Sequence, residues 1–321
     1  MERPQERTAW NDRRETVAVF SASGRPGLAQ VRQARAAGYR VRAVTRQKHL
    51  PPALAGTEIV AADLNDPGSL ARACDGAELV FFTSPSFTEA AKAVVHITRI
   101  GEVALAAGVR RLVYNTTTWH PETPVGVPSM DGAYEKTAAL RATGVPLTVI
   151  RPSLFMDNLL TRWVRPYILE DGEFSYPHRP DLEVSWICLD DIARLMIATS
   201  ESEEFLGETL DVGGPEALRP PEVARLLAEV VGSPVVYRQI TPREFGERMY
   251  AIFKHVSGLD RETYVSSLER HYEYKNETNP FLVDMKRVLE RVPIELTRMR
   301  DWLPLQGWSR TEREAVGSVS G

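Results

Sequence analysis

The chain has little of what several function classes need. Only two cysteines, Cys74 and Cys188, stand in 321 residues, far apart and in no metal-ligand spacing, so a disulfide framework and a cysteine-based metal site are both excluded. Two reduced thiols in or near the core are the expectation. No apolar run approaches the roughly 20 residues that span a bilayer, and the opening Met1-Glu-Arg-Pro-Gln-Glu-Arg7 lacks the apolar stretch of a secretory signal. Lysine and arginine form no run interleaved with aromatics, and the formal net charge is −4, so there is no basic footprint for nucleic acid or an anionic membrane. A cytoplasmic protein with neither of those partners is expected.

What is present suffices for a sizeable core, since 43% of the residues are hydrophobic, enough for one large or two smaller domains. Residues 1–15 are charged and aperiodic, which predicts a flexible leader. The fold is expected to start near Thr16. A short apolar strand from Val17 to Phe20 runs into the small-residue loop Ser21-Ala22-Ser23-Gly24-Arg25-Pro26-Gly27. A helical pattern from Leu28 to Gly38 and a second strand, Arg40–Arg46, follow. This is the opening βαβ unit of a dinucleotide-binding domain. Small residues and glycines are needed wherever a Cβ would collide with a pyrophosphate, and the anion sits on the N–H groups at the helix start, where the helix dipole favours it. Pro26 suits that first turn, which does not use its missing N–H. Where an NAD site places an acid to hold the ribose 2′-hydroxyl, this chain has Thr45-Arg46-Gln47-Lys48. Arg46, helped by Arg25 or Lys48, predicts a clamp on a 2′-phosphate and hence NADP(H) as cofactor.

Strand and helix signals then alternate. Strands are expected at Glu58–Ala62, Glu78–Thr83, Arg111–Asn115 and Leu147–Arg151, with helices from Asp66-Pro67 to Cys74, Thr88 to Ala107 and Asp131 to Thr143. This pattern predicts an α/β fold, a Rossmann-type doubly wound parallel sheet over 16–152. Ligands of such sheets lie beyond the carboxyl ends of the strands. Those ends read Ser21-Ala22-Ser23, Thr45-Arg46, Asp63-Leu64, Thr83-Ser84-Pro85, Asn115-Thr116-Thr117-Thr118 and Pro152-Ser153, which makes them the candidate cofactor contacts. Residues 153–321 show a looser pattern, with strands near Thr209–Val212 and Val235–Gln239 and helices at Pro221–Val231, Glu244–His255 and Leu282–Arg291. A smaller, mainly helical lobe on the substrate side is expected there, with some segments returning to the main sheet.

Several segments in register resemble the NmrA-like branch of the atypical short-chain dehydrogenase/reductases over about residues 16–308. They are the loop Ser21–Gly27, Val41–Arg46, Ala62-Asp63-Leu64, Arg111–Thr118, Thr143-Gly-Val-Pro-Leu-Thr148, Arg151–Asn158, Trp186–Ala193 and Leu210–Pro215. The resemblance implies a Rossmann-type domain, NADP(H) binding, and residues Pro152–Phe155 beside the nicotinamide, which adds Phe155 to the cofactor contacts. It does not fix a reaction, because the branch includes reductases of quinones, enones, imines and plant phenolics as well as redox sensors without turnover.

The catalytic residues are less readily placed. Active members of the wider superfamily carry a Tyr and a Lys four residues apart on one helix face, and here those positions, counted back from Thr143-Gly144, fall at Ser129 and Ala133. Neither can do that work. Tyr134 and Lys136 stand nearby but two apart, on nearly opposite sides of a regular helix. The remaining candidates are His120, whose pKa ordinarily lies near neutrality, and Thr117, where the family often has serines near a substrate carbonyl. Asp190-Asp191 reads as a helix cap. Phe155, Met156, Trp163, Tyr167, Trp186, Tyr250 and Phe253 are candidate walls of a pocket for a flat apolar substrate. The expectation is a reductase passing hydride to a small aromatic or conjugated metabolite. A silent NADP(H) sensor with a protein partner is the main rival, and a cyclase or dehydratase on the same fold is the third reading.

Overall fold

The alternating signals fold as a parallel α/β layer. The computed structural model describes residues 15–84, 90–255, 258 and 260–308; the expected leader over 1–15 falls, Glu15 apart, outside the described residues. The first half runs β1 (Thr16–Phe20), α1 (Arg25–Ala36), β2 (Arg40–Thr45), β3 (Glu58–Ala61), α2 (Pro67–Cys74), β4 (Leu79–Thr83), α3 (Ala90–Ala106), β5 (Arg111–Asn115), α4 (Pro128–Ala142) and β6 (Leu147–Pro152). The second continues with β7 (Leu154–Phe155), α5 (Arg165–Asp171), β8 (Glu173–Tyr176), β9 (Trp186–Ile187), α6 (Leu189–Ser200) and β10 (Thr209–Val212). It ends with α7 (Pro220–Val231), β11 (Val236–Gln239), α8 (Pro242–Phe253), α9 (Arg261–Thr278), α10 (Lys286–Arg291) and α11 (Met299–Trp302).

Seven strands form one sheet in the order β10-β6-β5-β4-β1-β2-β3, all parallel. The chain leaves β1 toward β2 and β3 and resumes on the other side with β4, so the topological switch lies between β1 and β4. A crevice opens beyond the strand ends at such a point. Every residue of β1, β4 and β5 is buried, as expected of strands covered on both faces. One face packs Val19, Phe81, Val113 and Ile150 against α1 and α6. The other packs Val80, Phe82, Leu112 and Tyr114 against α2, α3 and α4. β10 returns from the second half to the sheet edge, while β8 pairs with β11 and β7 with β9 in two small sheets of their own. Leu154, Phe174, Tyr176 and Trp186 of these small sheets join a third core, rich in aromatics, that also includes Phe245 and Tyr272. Cys74 and Cys188 are both buried thiols.

Three differences from the sequence expectations matter for the site. Helix α4 starts at Pro128 and not at Asp131, because proline at its first position suits a first turn whose N–H groups are unused, and this draws Ser129 into the helix. Asp190 and Asp191 are not the cap of α6. Cys188 holds that position and both aspartates lie in the first turn, Asp190 accepting from Arg32 and Gln33 of α1 and Asp191 buried against Thr297. The 18-residue α9 carries no expectation at all, since its buried positions, Tyr264, Val265, Tyr272 and Lys275, make no apolar stripe. Asp260, accepting from the Thr263 N–H, caps its start, and Asn279 at φ 44° ends it.

Candidate active site

The loop after β1 is built to leave a helix end open. Gly24 is the N-cap of α1, in extended conformation at φ −78° and ψ 161°, and no side chain among the described residues caps the helix. Its first-turn amides therefore face outward for an anion. Gly27 has a different task. A Cβ there would lie 2.3 Å from the Ser21 carbonyl oxygen and 2.7 Å from the Ala22 Cα, so only glycine lets the helix close on the loop. Ser21 itself sits at φ 56° and its hydroxyl donates to the Thr83 carbonyl oxygen at 3.2 Å. Ala22 donates its N–H to the Val44 carbonyl, and the Ser23 and Thr45 hydroxyls lie 2.9 Å apart, so the loop is tied to both neighbouring strands. Pro26 occupies the first turn as expected.

Arg25 does not reach toward Arg46. Its guanidinium turns to the 3-10 turn after β7, donating to the Asp157 carbonyl with the Asp157 carboxylate 4.0 Å away. Burial pushes the Asp157 carboxyl above its usual range. Arg46 projects from the end of β2 with its side chain 68% exposed, its Nη1 3.8 Å from the Asp63 carboxylate. Asp63 accepts from the N–H and side-chain amide of Asn65, and that backbone bond is the main cause holding its carboxyl below the usual range. The Leu64 carbonyl accepts from Arg99, and His96 bonds Asn65 at 3.0 Å. Arg46, Asp63 and Leu64 thus gather at one end of the strand row.

At the other end Thr83 accepts from Gln30 Nε2 at 2.9 Å, and Ser84 lies 3.4 Å from the buried Tyr114 hydroxyl. Asn115, at the end of β5, spends its Oδ1 on the Thr117 N–H, while its buried Nδ2 has no partner among the described residues. A buried donor left unpaired is costly unless a ligand supplies the acceptor. Pro152 closes β6 opposite Val212, and Phe155, half-buried, packs against the core on the α1 side. An uncapped helix end, an open glycine and an unpaired amide along one row of strand ends fit a bound dinucleotide.

The sequence-derived catalytic candidates do not converge there. His120 is buried with both ring nitrogens engaged, Nδ1 at 2.9 Å from the Pro121 carbonyl oxygen and Nε2 at 2.9 Å from the Thr137 hydroxyl. It lines a pocket of about 140 Å³ with Tyr134, Glu122, Arg141, Arg151 and Thr209, beside the β10 edge of the sheet. Arg151 is neutralised there by Asp211 and Glu122. Burial lowers the Lys136 pKa. Thr117 adopts φ 65°, and its hydroxyl donates back to the Thr116 carbonyl; Thr116 in turn donates to the Thr118 carbonyl at 2.7 Å. Both shape the turn that presents Thr118.

A cluster that the sequence reading missed stands beside that turn. The Ser129 hydroxyl, one of the two positions where the superfamily pair is absent, lies 2.8 Å from His271 Nδ1 of α9. One turn further along α9, Lys275 Nζ donates to the Thr118 hydroxyl at 2.6 Å and lies 4.6 Å from the Phe281 ring centre. Ser153, just past β6, donates to the Phe281 carbonyl. His178 packs on Phe281 and Tyr272, fully buried, with neither ring nitrogen partnered among the described residues. Burial pushes Lys275 down to about 7 and His178 down to about 3, and holds His271 well below its ordinary value. The spacing of His271 and Lys275, four apart, was the only signal in the sequence. The expected pocket walls differ as well: Met156, Trp186 and Phe253 are buried in the C-terminal core, where Trp163 packs on Phe253 and Tyr250 on Tyr264. Tyr167 lies under the Arg248 guanidinium.

No helix among the described residues is long and apolar enough to cross a membrane. The chain matches the model of the NmrA-like family over residues 13–303. It is 30% identical over 195 residues to an NAD(P)H azoreductase of Xenophilus azovorans, covering 60% of this chain and spanning 65% of that relative's length. The triphenylmethane reductase of Citrobacter sp., solved with NADP(H), superposes with a TM-score of 0.71 at 18% identity over 91% of this chain and all of that one (100%). The negative transcriptional regulator NmrA, solved with NAD, superposes with a TM-score of 0.65 at 20% identity, covering 95% of both chains. Enzymes and a regulator thus share this fold. With the family model matched over residues 13–303 and the solved neighbours superposing over most of the chain, the chain belongs to the NmrA-like family and carries its NAD(P)-binding Rossmann fold.

Proposed function

We propose that the protein is an NADP(H)-dependent reductase of a small aromatic or conjugated metabolite. The observation that carries this reading is the row of strand ends on which the uncapped α1, the unpaired Asn115 amide and Arg46 all lie. The α1 amides and Gly24 would hold the pyrophosphate, Arg46 the 2′-phosphate, Asp63 and Leu64 the adenosine, and Asn115, Pro152 and Phe155 the nicotinamide end. NADPH, when bound, supplies a hydride at nicotinamide C4. The chain's own part is to orient the acceptor, exclude water and deliver a proton. The azoreductase relationship and the NADP(H)-holding neighbour support the reading.

A second reading, a sensor of the NADPH/NADP⁺ ratio with a protein partner, is favoured by the burial of Met156 and Trp186, which were expected to face a substrate. Incubation with NADPH and a panel of quinones, enones, imines and azo compounds, following the nicotinamide absorbance, separates the two. Consumption with any acceptor class supports the reductase. Tight NADPH binding with no consumption across the panel moves the sensor to first place.

A further inference from the structure

Helix α9 brings a buried lysine to the turn after β5, in a chain whose α4 lacks the superfamily lysine. Lys275 is only 3% exposed, yet among the described residues its ammonium makes one hydrogen bond, to Thr118 beyond β5, and rests on the ring of Phe281, whose carbonyl holds Ser153 beyond β6. The group therefore stands at the carboxyl ends of β5 and β6. Among the described residues no carboxylate pairs with it. On α8 and α9, Arg243 pairs with Glu262 and Glu269 and Arg261 with Glu247 at the surface, and Glu273 and Glu277 are exposed to solvent. On α4, Asp131 is spent on the Val125 and Gly126 N–H groups, and Ser129 holds His271. The two imidazoles that face the lysine, His178 and His271, are kept neutral near pH 7 by their burial, so they add no repulsion there. A buried cation without a counter-ion is unfavourable unless a ligand supplies negative charge or a strong acceptor. The unpartnered His178 nitrogens point to the same need.

We propose that Lys275 is the acid of this site and that the acceptor is a conjugated carbonyl compound, an enone or a quinone, whose oxygen lies against Nζ. This rests on the reductase reading above. As hydride arrives at the conjugated carbon, the C=C pair moves to form the new double bond beside the carbonyl carbon. The C=O π pair moves onto oxygen, and that oxygen takes a proton from Nζ. The N–H pair stays on nitrogen as a neutral amine, which regains its proton from water. One hydride and one proton are consumed per acceptor reduced; an enone gives an enol, and a quinone gives the keto tautomer of a hydroquinone, which becomes the hydroquinone when the reduced carbon loses a proton to water and the second carbonyl oxygen gains one from water. Oxygen is the right partner because its developing charge is localised, which an ammonium in a dry site stabilises strongly. The same unpaired positive charge disfavours a cationic acceptor. The lowered pKa suits the role, since a proton donor works best near the operating pH.

The test uses p-nitrophenol, whose absorbance reports its own ionisation, as a stand-in for the oxyanion. Titrated into the NADP⁺-saturated protein, it should ionise at least one pH unit below its value in water. Lys275→Met should abolish that shift while leaving NADP⁺ affinity within about twofold. Lys275→Gln, which is one atom shorter but keeps a polar N–H end without the charge, serves if the methionine variant does not fold. In turnover, either variant should lower kcat for an enone or quinone by roughly 10²-fold or more with little change in KM. Absence of phenol binding, binding without a shift, or a shift that survives both substitutions overturns the proposal. Failure of NADP⁺ to bind at all, or NADPH that no acceptor consumes, counts instead against the reductase reading, because the phenol shift is read without turnover.

Discussion

Arg46 and Gly24 serve the same cofactor by opposite means, one by a charge it offers and the other by a side chain it lacks. Arg46 is largely exposed and, among the described residues, held by a 3.8 Å contact with Asp63, so it can meet a 2′-phosphate with charge-assisted bonds. Such bonds contribute about 1.5–3 kcal/mol. Arg46→Ala is therefore expected to weaken NADPH binding by roughly 10- to 150-fold and to leave NADH nearly unchanged, as calorimetric titration of both cofactors would show. Equal affinities in the parent protein would remove the basis for NADP(H) preference. A Cβ at Gly24 would meet only the Ser21 carbonyl oxygen, at 3.3 Å, in a backbone conformation open to any residue. Gly24→Val should thus abolish NADPH-induced thermal stabilisation while the apoprotein still folds, the 3.3 Å contact needing only a small shift of the loop. Gly27→Ala should do the reverse damage, destabilising the fold by about 1–3 kcal/mol through its 2.3 Å clash, measurable by urea denaturation.

The two aspartates at the start of α6 show how one element is held by contacts of unequal worth. Asp190 pairs with Arg32 at the surface, whereas Asp191 is fully buried and accepts from the Thr297 N–H at 2.6 Å, the Thr297 hydroxyl at 2.9 Å and Arg194. Removing Asp191 leaves those donors unpaired. Asp191→Ala should lower stability by about 1–3 kcal/mol, and Asp190→Ala by under about 1 kcal/mol. A urea midpoint that moves equally for both would show that Thr297 finds water. The sheet was legible at this scale because strands buried on both faces carry short apolar runs, Leu79–Phe82 and Leu112–Tyr114, set between stretches of helical periodicity. The pyrophosphate loop was legible for a related reason, since it depends on residues adjacent in sequence. Helix α9 was not, because its inward face mixes Tyr264, Val265, Tyr272 and Lys275, and no hydrophobic period marks it. His271 and Lys275 meet Ser129 and Thr118 across 142 and 157 positions of chain, brought together by the packing of α9 on α4 and on the turn after β5.

Across the whole molecule, the C-terminal core has buried basic groups where aliphatic side chains would serve packing as well, and its stability should therefore depend on pH. His178 has a folded pKa near 3, far below its ordinary value, because the uncharged ring sits fully buried among Tyr176, Tyr272 and Phe281. Between that value and about 6.5 the unfolded chain binds the proton and the folded chain does not, so stability falls as pH falls through this window. His271 acts in the same direction. Lys275, with a folded pKa of about 7, is protonated in both states below that value, so its own slope lies above pH 7. Asp157 opposes the trend, since its raised folded pKa gives the native state the more readily held proton. From pH 7 to pH 5, His178 alone should remove about 2 kcal/mol. Urea denaturation of the parent protein and of His178→Phe at both pH values isolates that share. The parent should lose about 2 kcal/mol more than the variant between the two conditions. Equal losses would mean that the imidazole keeps a proton in the folded state, which requires an acceptor at the ring nitrogens and would place a polar ligand or water against His178 even without substrate.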